Sequence, residues 1–394
     1  MEKLHQTFFR TEIIFIIILF TTKLQAQSSY ELGGYVKYLF SSSKIKNIDD
    51  NLIDNTSHSR LNFRWYPSDI FNFSLGIRNR IIIGDSPSKI PDYDKIFSSD
   101  NGILQLSKFL WKKKNTINHL EIDRLWTDIN FDKFRLSLGK QRIAWGTSWV
   151  WNITDIFNPL SVLDFDYEEH QAADAIRLQY FSSELSKYDI AFQLEKEISK
   201  SKFAFQYSTN FSEYDFYFLI GNYKKRFMLG TAWAGDIHGA GFRGEVLLMN
   251  SPSRSNIANN LFYNERRIQF SFVLSFDYTF ENSLYVHSEL LYNNIGKKEN
   301  AALFRNDALE LGMLSAGRLN LFYQVGYNLS PLSRIDVISL HNVYDNSFVI
   351  LSTLSYNLIE NLDLSLIGIY FNGDESDEYS PSGKMIYMRL KFSF

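Results

Sequence analysis

The stretch GKMIYMRLKFSF, residues 383–394, alternates apolar and polar side chains over its whole length. Ile386, Met388, Leu390, Phe392 and Phe394 interleave with Tyr387, Arg389, Lys391 and Ser393. A period of two residues predicts a β-strand with one apolar face and one charged face. A half-buried edge strand of a soluble protein has the same pattern, so the rest of the chain must decide between the two.

The composition favours a membrane barrel. Apolar residues make up 45% of the chain and aromatic residues 16%, yet the mean hydropathy is −0.20. After the N-terminal segment no apolar run is long enough to span a bilayer as a helix, so the apolar residues are distributed at a short period. This distribution is typical of an all-β, antiparallel transmembrane β-barrel, whose strands face lipid and a polar lumen in alternation.

The connections between candidate strands alternate in length. We count about eighteen strands, with sixteen as the alternative, joined by short turns at one end and long polar segments at the other. Aromatic residues crowd the strand ends beside the short turns, as in an interfacial girdle. A soluble β-helix or propeller would instead show a repeat of tens of residues, and none is found. The long segments are residues 41–55, 84–115, 147–173, 251–266 and 296–318.

The N-terminus predicts export. Lys3 and Arg10 precede the apolar residues 13–20, and Leu24-Gln25-Ala26 provides a small-residue exit, so residues 1–26 are predicted to be a cleaved signal peptide. Residues 27–394 would then form a single barrel domain. The alternative is an N-terminal anchor, although the apolar run is shorter than the roughly 20 residues that a membrane helix needs.

Several function classes are disfavoured by composition. The chain has no cysteine, which excludes disulfides and thiolate metal sites, and its net charge of −3 with scattered basic residues disfavours nucleic acid as a partner. The mature histidines are scattered, and no GxSxG, HExxH or nucleotide-binding fingerprint is present. We therefore expect no enzymatic activity, no cofactor and no metal.

Arginine residues recur on the face of the early strands opposite to the apolar residues. A register slip of one residue would turn these charges toward lipid, at about 2–4 kcal/mol each near the midplane, so we predict that they point inward. A basic wall in a narrow lumen would concentrate anions. The alternative is that these charges only keep the lumen wet and pair with acidic loops. The predicted wall consists of Arg60, Arg64, Arg78, Arg80, Arg124, Arg135 and Arg177.

An acidic group in the segment 147–173 could face this wall. If the segment folds inward, it would form a constriction with acid opposite base; it could equally lie outside, solvated or binding a divalent cation. The acidic residues are Asp155, Asp164, Asp166, Glu168 and Glu169, with Asp174 just beyond.

The same region carries one extended resemblance. Residues 139–159, GKQRIAWGTSWVWNITDIFNP, resemble a porin-like family of Gram-negative outer-membrane β-barrels with a G(K/R)Q, WG, then D-x-x-NP pattern. Thr147 and Ser148 stand where that family usually has an acidic residue. The motif positions are Gly139, Lys140, Gln141, Trp145, Gly146, Asp155, Asn158 and Pro159.

Local chemistry gives this motif a structural interpretation. Gly146 would let the chain leave the strand, and Asn158-Pro159 would form a turn. The tryptophans at 145, 149 and 151 either stack on sugar rings or pack the loop against the barrel wall.

The terminal Phe394 resembles the assembly signal of outer-membrane barrels. The resemblance implies outer-membrane lipids and the barrel assembly machinery as partners, and a cell outer-membrane location. The predicted function is a porin-like channel for passive diffusion of small polar, anionic solutes such as carboxylates or acidic sugars. The alternative is a non-conducting barrel that exports or anchors an acidic polysaccharide.

Overall fold

The computed structural model describes residues 29–46, 50–94, 102–158, 172–250, 268–380 and 383–394. The predicted signal peptide, residues 1–26, lies outside this range, and the cleavage remains a prediction. Among the described residues, no helix is long and apolar enough to cross a bilayer.

Antiparallel strands form nearly all of the regular structure. Two helices, α1 (Ser86–Lys89) and α2 (Ala301–Glu310), lie in the connections after β3 and β14. The described strands are β1 (Tyr30–Ile45), β2 (Leu52–Trp65), β3 (Phe71–Gly84), β4 (Ser107–Lys113), β5 (Thr116–Phe131), β6 (Phe134–Gln141), β7 (Ala173–Phe181), β8 (Lys187–Gln193), β9 (Lys202–Phe211), β10 (Tyr214–Tyr223), β11 (Arg226–Ile237), β12 (Ala240–Met249), β13 (Gln269–Thr279), β14 (Tyr285–Asn293), β15 (Leu319–Ser330), β16 (Ser333–Asn342), β17 (Phe348–Ile359), β18 (Leu362–Asn372) and β19 (Gly383–Ser393).

The sheet closes on itself as an 18-stranded antiparallel barrel, which confirms the predicted fold class. Closure occurs where β19 pairs with β1, from Gly383 opposite Ile45 to Ser393 opposite Tyr35. Phe394 extends this seam, because its backbone N–H and C=O both bond to Gly34, at 3.0 and 2.9 Å. Closure satisfies the strand edges, which a bilayer would otherwise leave without hydrogen-bond partners.

One strand lies outside the closed ring and corrects the sequence prediction for the segment 84–115. This segment was predicted to be a loop, but it contains α1 and β4. β5 pairs with β3 along its whole length, and on its other edge it pairs with β4 over residues 116–121 and with β6 over residues 125–131. β4 therefore occupies the edge of β5 that lies beyond the end of the short strand β6.

The segment 41–55 is also more regular than predicted. β1 continues to Ile45 and β2 begins at Leu52, and the two strands pair as far as Ser43 opposite Leu52. Because this segment contains polar residues such as Ser41 and Asn55, it shows no alternation of apolar and polar side chains that would predict a strand. Backbone pairing continues the hairpin through them regardless of side-chain hydropathy.

The two ends of the barrel differ as predicted. Turns of two residues join β5 to β6 at Asp132-Lys133, β9 to β10 at Ser212-Glu213 and β17 to β18 at Glu360-Asn361. This is called the turn end, and the opposite end, which carries the long segments, is called the loop end. Large aromatic side chains project outward beside the turns, as a membrane interface favours: Trp65, Phe71, Phe131, Phe134, Phe211 and Phe280 are exposed.

Candidate functional site

Strand alternation directs a continuous set of basic side chains into the lumen. On each strand concerned, the flanking apolar residues point outward, as Ile386, Met388 and Leu390 do on β19, where all three are exposed. The set occupies five neighbouring strands, β19, β1, β2, β3 and β5. We call it the basic wall; it consists of Arg389, Lys391, Lys37, Arg60, Arg78, Arg80 and Arg124.

Carboxylates are interspersed in the basic wall. Asp123 lies 2.5 Å from Arg60, and Glu121 lies 2.7 Å from Arg78 and 4.0 Å from Arg80. Arg60 and Arg78 are almost completely buried, with 3% and 4% of their surface exposed. Buried guanidinium groups require such partners, because removal from water costs several kcal/mol per ion.

Three of the predicted arginines lie elsewhere. Arg64 points inward from β2 at the turn end, where its side chain is 58% exposed and 3.7 Å from Glu31. Arg135 lies at the turn end of β6, exposed, and donates to Asn130 Oδ1. Arg177 pairs with Asp189 on β8 at 2.5 Å. The structure thus brings Arg60, Arg78, Arg80 and Arg124 together and leaves the other three outside the wall.

Sequence reasoning missed Lys37, Arg389 and Lys391. Lys37 is opposite Lys391 across the closing seam, and Leu39 is opposite Arg389. The alternation of residues 383–394 already placed Arg389 and Lys391 on the polar face. Only the pairing of the first and last strands brings them to the same part of the barrel wall as Arg60 and Arg78.

The connection between β6 and β7 enters the lumen. Its described part, residues 142–158, is called the lumen loop. Trp145 and Trp151 are buried to 3% and 2% exposure and pack among inward residues such as Ala191 on β8 and Leu247 on β12. These two tryptophans therefore pack the loop against the wall, one of the two alternatives left open by the sequence. Trp149 differs, since 61% of its surface is exposed.

Two buried glutamates on the barrel wall hold the lumen loop. Glu245 on β12 accepts hydrogen bonds from the backbone N–H groups of Thr147 (2.7 Å), Ser148 (2.9 Å) and Thr154 (2.9 Å). Glu289 on β14 accepts from those of Trp149 (2.8 Å), Val150 (3.1 Å) and Trp151 (3.1 Å). We call Glu245 and Glu289 the clamp carboxylates.

The clamp supplies what an irregular segment inside a barrel needs. Residues 142–158 form no helix or strand, so their N–H groups lack regular partners. A buried N–H group without a partner costs about 1–3 kcal/mol. A carboxylate has two oxygens with about four acceptor positions, so each glutamate satisfies several N–H groups at once. The clamp fixes the loop to β12 and β14.

The lumen loop is held opposite the basic wall. In the eighteen-strand ring, β12 is nine strands away from β2 in either direction. The clamp strand β12 and the basic-wall strand β2 therefore lie on opposite sides of the lumen.

The predicted acidic counter-surface differs from this geometry. Asp155 is only 3% exposed, and it faces Glu245, Arg142 and Lys202 within the packed side of the loop. The pKa of Asp155 is raised to about 8, because burial and the charge of Glu245 raise it by more than the backbone hydrogen bond from Asn158 and the charges of Arg142 and Lys202 lower it. The exposed side chains of the loop are those of Arg142, Ala144 and Trp149, none of them acidic.

Asp174 is also placed differently from the prediction. On β7, Asp174 points to the outer side of the strand, as the exposed residues Ile176 and Leu178 do, whereas Arg177 points to the opposite side. Its carboxylate lies 3.3 Å from Lys140 and accepts a hydrogen bond from the N–H of Leu104. Asp164, Asp166, Glu168 and Glu169 lie outside the described residues.

The described part of the motif, residues 139–158, comprises the end of β6 and the lumen loop. Gly139 has a φ of +120°, and a Cβ there would contact the carbonyl of Leu125. Gly146, predicted to turn the chain, instead allows the close approach of Asn152, whose side chain would overlap a Cβ. The positive φ is therefore required at Gly139, two residues before the end of β6, and not at Gly146.

Other motif residues tie the loop together. Gln141 donates from Nε2 to the carbonyls of Ser137 and Ala175, both at 3.1 Å. Asn158 Oδ1 accepts from the N–H of Ile143 at 2.8 Å, and Trp145 donates to Asp189 at 3.2 Å. Pro159 lies outside the described residues.

One buried constellation has the residue types of a catalytic triad. His287 Nε2 lies 3.2 Å from Ser275 Oγ and 3.1 Å from Glu289 Oε1. In a Ser-His-acid triad the two ring nitrogens face different partners, whereas here one nitrogen faces both. Glu289 is already engaged by the loop, so this group supports the clamp. Within the described ranges no cluster of side chains has the make-up of a metal site.

Comparison with known proteins identifies the architecture. No family model and no curated protein matches this chain. Solved structures do. The outer-membrane protein OprD from Pseudomonas aeruginosa is 9% identical, with a TM-score of 0.58 over 94% of this chain and 97% of that chain. Acinetobacter baumannii OccAB1 is 9% identical, with a TM-score of 0.59 over 94% of this chain and 98% of that chain. Pseudomonas aeruginosa OccK5 (OpdH) is 8% identical, with a TM-score of 0.58 over 93% of this chain and 98% of that chain.

At such identities the likeness establishes a shared fold. The barrel has the architecture of outer-membrane porins, with short turns and long loops at opposite ends. The resemblance read from residues 139–159 remains a prediction, since no family model matches them.

Proposed function

We propose that this chain is a passive outer-membrane channel for small anionic solutes, which cross the lumen between the lumen loop and the basic wall. The observation that carries the proposal is the placement of seven basic side chains on five adjacent strands, directly opposite a loop clamped to the other wall. The shared fold of OprD and OccAB1 supports a porin channel.

The electrostatics favour anions. A row of cations in a narrow lumen with low-dielectric walls focuses the field and raises the local concentration of anions. Asp123 and Glu121 offset part of this charge, so that an anion is attracted without being trapped. Carboxylates suit the guanidinium geometry, because two oxygens match two parallel N–H groups. The proposal covers small carboxylates and acidic sugars alike.

The decisive measurement is the reversal potential of the refolded protein in planar bilayers under a salt gradient. We expect anion preference, and a fall of about threefold in the anion-to-cation permeability ratio when Arg78→Gln and Arg80→Gln are combined. Arg135→Gln is the matched control, since Arg135 is exposed at the turn end and lies outside the wall. Equal selectivity in the wild type and the double variant would contradict the proposal.

One observation favours the alternative, a non-conducting barrel that holds an acidic polysaccharide. Lys37, Arg60, Arg78 and Arg124 are at most 5% exposed, so the lumen beside them is closely filled. A folded barrel that carries no current but binds polygalacturonate would support this alternative. Steady current together with no polymer binding would exclude it.

A further inference from the structure

The turn-end half of the lumen on strands β12 to β16 has a different chemistry from the basic wall. Its arginines are each paired with an aspartate: Arg243 bonds to Asp277, and Arg334 lies 2.7 Å from Asp336. Strand pairing places these groups side by side, because Gly241 is opposite Asp277 and Gly326 is opposite Asp336. This part of the wall is therefore polar and close to neutral.

Two glycines let these ion pairs lie flat on the wall. A Cβ on Gly241 would come within 2.5 Å of Asp277 Oδ1 and 3.0 Å of Arg243 Nη1. A Cβ on Gly326 would come within 2.5 Å of Asp336 Oδ1 and closer still to Arg334. Since the pairs occupy the space that side chains would fill, their remaining donors and acceptors form a floor facing the lumen.

Aromatic rings border this floor. The guanidinium of Arg243 lies 5.0 Å from the centroid of the Trp149 ring, and 61% of the Trp149 surface is open to the lumen. On the neighbouring strands the guanidinium of Arg334 lies 5.9 Å from the Tyr285 ring. A recess of about 380 Å³ adjoins this pair at the turn end. It is lined by Tyr285, Asn328 and Arg334 together with Thr279, Phe280, Glu281 and Ser283 at the connection between β13 and β14. Its volume falls within the range of small-molecule sites.

We propose that Trp149, Arg243, Asp277, Tyr285, Arg334 and Asp336 form a subsite for a neutral hydroxylated ring, such as a single sugar unit. The proposal rests on the proposed function only in placing the subsite on the path of a solute through the lumen.

The chemistry of the subsite selects this ligand class. A sugar ring has an apolar C–H face that packs on the electron-rich face of an indole, and hydroxyl groups that both donate and accept. Paired guanidinium and carboxylate groups offer both functions side by side. A free anion gains less here, because Asp277 and Asp336 already balance the arginine charges and repel it. The basic wall and the neutral subsite therefore recognise different parts of a solute.

Equilibrium binding tests the subsite without requiring conduction. Detergent-solubilised protein is titrated with maltose and with cellobiose by isothermal titration calorimetry, with the acyclic polyol sorbitol as a ring-free comparison. We expect saturable binding of at least one disaccharide, weakened at least tenfold by Trp149→Ala and less by Trp149→Phe. The combined variant Arg334→Gln, Asp336→Asn, which keeps the site neutral, should weaken binding several-fold.

The control variant is Trp65→Ala, which removes an exposed tryptophan from the outer face of the turn end. Heat-modifiable migration confirms that each variant is folded. No saturable binding of either sugar, equal binding of sorbitol, or binding that Trp149→Ala leaves unchanged would overturn the proposal. A channel that conducts anions but binds no sugar would refute the subsite and keep the proposed function, whereas a silent barrel that binds sugar would do the reverse.

Discussion

The two walls of the lumen hold buried charge in opposite ways. On the basic wall, carboxylates of β5 pair with arginines of neighbouring strands, Asp123 with Arg60 and Glu121 with Arg78. On the far wall, the carboxylates of Glu245 and Glu289 accept hydrogen bonds from backbone N–H groups of the lumen loop, and Glu289 also lies 3.1 Å from His287. The first wall pairs charged side chains of neighbouring strands with each other, and the second uses its carboxylates to position a segment of chain.

The comparison explains why the passage is asymmetric. A loop held by backbone amides presents few charges of its own, and its exposed side chains are Arg142, Ala144 and Trp149. The basic wall then faces a surface without acid among the described loop residues. Under the proposed function, an anion in the lumen would be attracted by the basic wall and would meet no acidic side chain among the exposed residues of the described loop.

Removal of Phe394 tests the basic wall, which includes residues on both sides of the closing seam between β19 and β1. Of the changes considered, it should have the largest effect on folding. Phe394 bonds Gly34 through both backbone groups, and this seam joins Arg389 and Lys391 to Lys37. We expect the deletion to reduce the folded, heat-modifiable fraction several-fold, because the closing strand loses its last pairing. Gel migration with and without boiling measures this fraction.

The control for the seam is Phe211→Ala. Phe211 is an aromatic residue at the turn end with 73% of its surface exposed, and it lies on β9, far from the seam. A deletion of Phe394 that folds as well as this control would argue against a role of the terminal residue in assembly.

Breaking the clamp tests the other wall. In the combined variant Glu245→Ala, Glu289→Ala, six backbone N–H groups lose their acceptors. Each such loss costs about 1–3 kcal/mol if the group stays buried, so the loop should leave its docked position. We expect single-channel conductance to rise roughly twofold, with more current noise, in planar bilayers.

Glu213→Ala is the matched control for the clamp, since Glu213 lies exposed in the turn between β9 and β10. Unchanged conductance in a folded clamp variant would mean that packing of Trp145 and Trp151 alone holds the loop.

A change of pH should produce the smallest effect, again confined to the loop. Burial raises the pKa of Asp155 to about 8, above its ordinary value of 3.8, so the docked loop binds the proton more tightly than a released loop does. Docking is therefore strongest below about pH 4 and weakens as the pH rises toward 8, where the buried carboxyl ionises beside Glu245. We expect more current noise at pH 9 than at pH 6.

Asp155→Asn should remove this pH dependence, because the amide stays neutral throughout. Asp132→Asn, in the turn between β5 and β6, is the control and should behave as the wild type. Identical pH dependence in the Asp155→Asn variant would assign the effect to another group.

Local sequence patterns predicted the architecture well, because the alternation of apolar and polar residues within one strand is enough to show which side chains face lipid and which face the lumen. The two-residue period of residues 383–394 and of the other strands gave the count of eighteen strands. Once the strands were located, the short turns at one end of the barrel and the long connections at the other could be read from the sequence. The period did not predict strand structure where polar residues continue a hairpin, as at the start of β2 from Leu52. It also did not predict β4, which lies within a segment that reads as a long polar connection.

The clamp carboxylates had a readable signal that sequence reasoning did not use. Glu245 shares its side of β12 with Leu247 and Met249, and Glu289 shares its side of β14 with Leu291, all buried. A carboxylate in an apolar row at the middle of a strand must have a partner. The sequence does not say that the partner is the backbone of residues 147–154.

What the sequence alone determined is the inward or outward direction of each strand side chain, since this depends on parity along one strand. What the tertiary structure decided is which inward side chains meet. Lys37 and Lys391 are 354 positions apart and become neighbours only because β1 pairs with β19. Asp155 became a buried group, and the outward-facing Asp174 became the partner of Lys140, because loop packing and strand register bring together groups that are distant in sequence.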